Sequence, residues 1–141
     1  MFDLIIRGDQ VVTPQGTGAW DICIQGETIA AMTPPGQFAD DQAGRVIDAT
    51  GKIVIPGGID PHIHSLWHIP PIEEGGEAGL TDGPDVVSRA AIHGGTTTLL
   101  DFATWTHGQT IDEAVNIRLQ DWRGKCYSDY GYHIMLQGAI P

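Results

Sequence analysis

A chain of 141 residues with 7 Lys and Arg against 18 Asp and Glu carries a formal net charge of −11, which repels a phosphate backbone or an anionic lipid surface and excludes nucleic-acid binding and charge-driven membrane binding. Apolar residues make up 41% and charged residues 18%, a composition that buries a core and suits one domain or a piece of one. Apolar runs such as Ile53-Val54-Ile55 fall far short of the ~18 residues a membrane helix needs, and Met1-Phe2-Asp3 lacks the basic start of a signal peptide, so a cytoplasmic protein is expected.

Leu4-Ile5-Ile6-Arg7 and Gln10-Val11-Val12-Thr13 flank Gly8-Asp9, which predicts a hairpin. Trp20, Ile22 and Ile24 alternate with Asp21, Cys23 and Gln25, a strand with one buried face. Gly26-Glu27 then turns the chain into a further strand, Thr28 to Met32. Thr33 to Gly44 reads as loop and Arg45-Val46-Ile47-Asp48 as one more short strand, so residues 1–51 are expected to form a small all-β module. Lys52-Ile53-Val54-Ile55 is a continuous apolar run of the kind buried on both faces in a parallel sheet, and it stops at Pro56-Gly57-Gly58. Asp82 to Gly94 reads as a helix, with Asp82 or Asp85 at its cap, Pro84 in its first turn, Val86, Val87, Ala90 and Ala91 as its apolar face and Gly94-Gly95 as its stop. Thr96 to Phe102 predicts a strand. Ile111 to Arg123, with Ile111, Ala114, Val115 and Leu119 at helical spacing, predicts a helix ended by Gly124, and Tyr130 to Leu136 another strand. The order β, α, β, α, β argues for an α/β fold with parallel strands and helical crossovers. Cys23 and Cys126 belong to no Cys-x-x-Cys and read as reduced core thiols.

The residues that carry chemistry are His62 and His64, in Gly58-Ile59-Asp60-Pro61-His62-Ile63-His64. On an extended backbone, residues i and i+2 point to one side about 7 Å apart, from the ~3.3 Å rise per residue. Two imidazoles on that base can converge on one cation while Ile63 packs the other way, because zinc–nitrogen bonds are ~2.0–2.1 Å long. A lone His-x-His is a weak motif. Its place after a buried parallel strand strengthens it, since the C-terminal ends of such strands hold the active sites of α/β barrels. Asp60 has two roles open to it, orienting an imidazole or capping the turn. His93 suits a helix C-terminus, and His133 reads as packed within a strand. His68 and His107 can face a pocket without being ligands.

The run from Val46 through Ile53-Val54-Ile55-Pro56-Gly57-Gly58-Ile59-Asp60-Pro61-His62-Ile63-His64 resembles the amidohydrolase superfamily and, within it, the dihydropyrimidinase and hydantoinase group. Gly94-Gly95-Thr96-Thr97-Thr98-Leu99-Leu100-Asp101-Phe102-Ala103 is similar to that group's second-strand segment, and Asp3-Leu4-Ile5-Ile6-Arg7-Gly8 to the start of its N-terminal β-sandwich. The resemblance implies a β-sandwich portion over residues 1–51 and the first three strands of a (β/α)8 TIM-type barrel over 52–141. It also implies a two-metal centre, two Zn2+, whose bridging hydroxide opens a cyclic amide. By the family pattern His62 and His64 hold one metal, and Leu66 and Trp67, in the loop after the first barrel strand, line the substrate pocket. The remaining ligands in such enzymes are a carboxylated lysine, two later histidines and an aspartate that shuttles the proton. The only lysine after Lys52 is Lys125, in a helix-ending loop unsuited to bridge metals, so the other ligands and the catalytic residues are expected beyond Pro141.

On this resemblance the chain is the N-terminal part of a longer enzyme or half of a split one, inactive alone and, when complete, a homo-oligomer acting on a small cyclic amide. Two alternatives are another amidohydrolase, such as a metal-dependent deaminase, and a non-catalytic paralogue serving as an assembly module. The acidic, Gly- and Pro-rich stretch Pro70 to Gly76 departs from the family's usual loop.

Overall fold

The computed structural model describes residues 1–137 and separates into two compact units, Met1–Pro56 and a second that begins at Gly57. In the first, strands β1 (Phe2–Thr13), β2 (Gly16–Gln25) and β3 (Thr28–Thr33) are followed by a 3-10 turn at Asp40–Gln42, then by β4 (Ala43–Asp48) and β5 (Ile53–Val54). They form one mixed sheet in the order β3-β2-β1-β4, with β5 also on β1. β2 is antiparallel to β1 and β3, whereas β4 and β5 run parallel to β1, each on a different stretch of it.

Gly8-Asp9 does not turn the chain. β1 runs straight through it with a bulge: Gly8 pairs with Trp20 and Val11 with Gly18, so β1 carries one extra residue. Glycine fits because a Cβ at position 8 would lie 2.7 Å from Val11 Cγ2. The hairpin turn comes at Pro14-Gln15, where Thr13 Oγ1 donates to the Gly16 carbonyl at 2.8 Å and Gly16 takes a φ of 125°. Nor does β2 bury only one face. Asp21, Ile22 and Cys23 are all buried, because Asp21 accepts hydrogen bonds from the Arg7 guanidinium and, at 2.9 Å, from Gly36 N–H, which closes its side of the strand.

A further correction concerns Lys52 to Ile55. Its strand joins the first unit through β1, and Ile53 and Ile55 are 67% and 66% exposed, so it is not a parallel-sheet strand covered on both faces. The division between units accordingly falls after Pro56, where the sequence places it after Gly51.

The second unit contains β6 (Gly58–Asp60), β7 (His68–Ile69), β8 (Gly79–Leu80), α1 (Pro84–His93), β9 (Thr96–Trp105), α2 (Ile111–Trp122) and β10 (Asp129–Leu136). β6, β9 and β10 make a parallel sheet in the order β10-β9-β6, with a helix in each crossover. β7 and β8 pair as a small antiparallel ribbon inside the stretch expected to be loop. Gly83, rather than Asp82 or Asp85, occupies the N-cap of α1, with Pro84 in the first turn as expected. Thr110 caps α2, its hydroxyl accepting from Glu113 N–H at 3.2 Å while the Glu113 carboxylate accepts from Thr110 N–H at 2.7 Å. The buried face of α2 is Ala114, Arg118 and Trp122, with Ile111 exposed, so the apolar stripe read from the sequence is displaced by an ion pair and an indole.

Candidate functional site

β6 ends at Asp60, whose carboxylate accepts a hydrogen bond from His62 N–H at 3.1 Å and so caps the bend. Ile63 N–H donates to the Leu100 carbonyl of β9 at 3.0 Å, which keeps the segment extended alongside the sheet. That places His62 and His64 on one side, as the two-residue period requires. Their rings stand nearly perpendicular, at 83°, and the two Nε2 atoms are 3.3 Å apart. Both residues are exposed to solvent. Phe102 of β9 lies under the pair, its ring centroid 4.6 Å from His62 and 5.1 Å from His64.

Two imidazole lone pairs that close repel unless a positive centre sits between them, either a proton shared as N–H···N or a cation. With zinc–nitrogen bonds of ~2.0–2.1 Å and a tetrahedral angle, the nitrogen–nitrogen edge of a zinc site is about 3.3 Å. The observed separation of 3.3 Å therefore fits two corners of one tetrahedral site. Among the described residues no group of three or more His, Cys, Asp or Glu converges, so this segment offers the pair alone.

Beyond His64 the chain bends sharply. Leu66 has a φ of 52°, the left-handed region, and Trp67 comes back over His64 with ring centroids 4.3 Å apart. Leu66 N–H donates to the Asp82 carbonyl at 3.1 Å and Trp67 N–H to Thr81 Oγ1 at 2.8 Å. Leu66, Trp67 and His68 line a cavity of about 360 Å³ together with Phe102, Thr104 and Arg118.

No family model matches the chain. It is 36% identical over 134 residues to the D-hydantoinase of Streptomyces coelicolor, covering 94% of this chain and 27% of that protein. It is 34% identical over 129 residues to the allantoinase of Salmonella choleraesuis, covering 91% and 26%. The crystal structure of the dihydropyrimidinase from Brevibacillus agri superposes with a TM-score of 0.79 at 37% identity, over 99% of this chain and 28% of that one. The chain is a relative of the hydantoinases and dihydropyrimidinases. It spans about a quarter of the length of these relatives.

Two further groups of this hydantoinase-like segment escaped the sequence reading. His133, expected to be packed within its strand, is exposed on β10. It sits 2.9 Å from the Pro61 carbonyl through Nε2, which donates, and 5.1 Å from Phe102 by ring centroid. It thus braces the residue before His62. Strand register carries the signal, because His133 pairs with Phe102. The second group is Arg118, whose guanidinium donates to the buried Asp101 carboxylate and to the Ser65 carbonyl, and at 3.0 Å to Asp121. Asp101, a charge inside the run Leu99-Leu100-Asp101-Phe102, is the visible trace of that partnership. His93 accepts its expected place, Nδ1 lying 2.8 Å from the Arg89 carbonyl in the last turn of α1. His68 and His107 are exposed, and Lys125 lies exposed after α2.

Proposed function

We propose that this chain is the N-terminal, cation-holding portion of a metal-dependent hydrolase that opens a cyclic amide at a C–N bond of a hydantoin- or dihydropyrimidine-like ring. One observation supports this most: two solvent-facing Nε2 atoms 3.3 Å apart, immediately past the end of a parallel strand. The names of the relatives favour the same chemistry, hydantoinase, dihydropyrimidinase and allantoinase.

In this reading His62 and His64, each presenting Nε2, would hold one divalent cation, a Zn2+ of a two-metal centre. A cation so held lowers the pKa of a water ligand towards ~7 and polarises a carbonyl. The chain's own residues do the rest that lies within it. Ile63 and Asp60 keep the two imidazoles aimed together, Phe102 closes the space beneath them, and Leu66 and Trp67 form an apolar wall against which a planar ring stacks. The remaining ligands and the proton shuttle belong to the part of such an enzyme that this chain does not span. On that account the chain alone is inactive, and the complete protein is a homo-oligomer.

The test is ring opening of hydantoin and dihydrouracil by the complete polypeptide loaded with zinc. Hydrolysis is expected, falling by more than about 100-fold in both His62→Ala and His64→Ala, since even the outer partners of metal ligands cost about 10–100-fold. Activity unchanged in both variants, or no ring opening by the parent protein, overturns the proposal.

A further inference from the structure

Neighbouring residues of a strand point to opposite faces of the sheet. Phe102 lies under the paired imidazoles, whereas Asp101 is buried against α2. There Asp101 Oδ2 accepts from the Trp122 indole N–H at 3.0 Å and from Arg118, two α2 residues one turn apart. The anchored carboxylate holds the guanidinium, and the guanidinium reaches past it to the Ser65 carbonyl. Arg118 Nε is buried without a partner, so the side chain is oriented by its Nη contacts alone.

The Ser65 carbonyl belongs to the peptide that leads into Leu66, the one non-glycine residue with positive φ among the described residues. A leucine keeps that conformation only where its surroundings hold it. On its N-terminal side Arg118 donates to the Ser65 carbonyl, and Leu66 N–H and Ser65 Oγ donate to the Asp82 carbonyl at 3.1 and 2.9 Å; on its C-terminal side Trp67 N–H donates to Thr81 Oγ1 at 2.8 Å and Thr81 N–H to the Trp67 carbonyl at 2.9 Å. Ser65 is fully buried, so water does not replace the guanidinium as donor.

We infer that Arg118 is a positioning residue: by gripping the Ser65 carbonyl from α2 it fixes the bend at Leu66, and with it the Trp67 indole against His64. The wall beside the imidazole pair is thereby set by a buried guanidinium on a helix together with the loop's own bonds to Asp82 and Thr81. The functional consequence rests on the proposal that the pair serves a cyclic-amide hydrolase. The placement itself does not.

The test replaces Arg118 in the complete polypeptide with Met and, separately, with Lys, which keeps the charge and loses the planar fork. Residue-resolved hydrogen exchange, zinc content, and kcat and KM for hydantoin are compared with the parent. In Arg118→Lys, which keeps a cation beside Asp101, the amides of Leu66 and Trp67 should exchange at least about tenfold faster while those of Leu99 to Ala103 keep their protection, as local opening requires. In the same variant KM should rise while zinc content and kcat are retained. Arg118→Met also strips the buried Asp101 carboxylate of its partner, so it should in addition lose stability in urea denaturation. Unchanged exchange at Leu66 and Trp67 in Arg118→Lys overturns the inference, and so does protection lost evenly across β9 and α2 in that variant. If the parent opens no cyclic amide, the functional proposal falls while the exchange data still decide the role of Arg118.

Discussion

His62 and His64 face the same way because Ile63 between them donates to the Leu100 carbonyl. That much was legible in the sequence, since His-x-His on an extended segment needs only the two-residue period. The role of Asp60, open in the sequence, is settled as a cap, because its carboxylate accepts from His62 N–H. His133 and Arg118 were not legible, since each acts through a carbonyl from a distant element, Pro61 and Ser65, and backbone acceptors carry no residue signature. Asp101 offers a test at this scale. Asp101→Asn keeps an acceptor for Trp122 but leaves the buried Arg118 charge without its main partner, so the protein should lose about 3–5 kcal/mol of stability in urea denaturation. A loss below about 1 kcal/mol, the worth of an exposed pair, contradicts the view that this ion pair is buried and structural.

At the scale of elements, α1, α2, β9 and β10 followed from apolar runs and glycine stops, with β9 and β10 longer than their apolar cores, whereas the first strand of the parallel sheet is β6 at Gly58–Asp60, where the sequence puts the end of a strand, and not Lys52 to Ile55. The misreadings have a common cause. Gly8-Asp9 has turn composition, yet the missing Cβ of Gly8 serves a bulge where the Val11 side chain crowds that position. The apolar count on α2 overlooked Arg118 because a buried guanidinium is apolar in neither name nor charge, only in location. The capping box of α2 gives a prediction. Thr110→Ala should destabilise the protein by about 1 kcal/mol at neutral pH. Hydrogen bonds from Thr110, first its N–H and then its hydroxyl, hold the Glu113 carboxyl below the usual range. A carboxyl held low stabilises the fold above its ordinary value of ~4.3 and gives that up as pH falls through its folded value. The stability gap between parent and Thr110→Ala should therefore narrow as pH is lowered below about 4. A gap that widens in acid contradicts the cap.

At the scale of the whole molecule, tight turns join the antiparallel pairs β1-β2 and β2-β3, helical crossovers join the parallel strands β6, β9 and β10, and longer connections bring β4 and β5 back parallel to β1. Lys52 to Ile55 crossed that division because an apolar run reports that a strand will pair, and pairing with β1 satisfies it as well as a parallel sheet does. Among the described residues no helix is long and apolar enough to cross a membrane. What the chain does depends on whether one cation is shared by the two imidazoles. Zinc titration of the complete polypeptide beside His62→Ala and His64→Ala tests this directly. The account predicts that either single replacement abolishes the same zinc site, because each ring supplies one of its two corners here. Full zinc occupancy in both variants would contradict it.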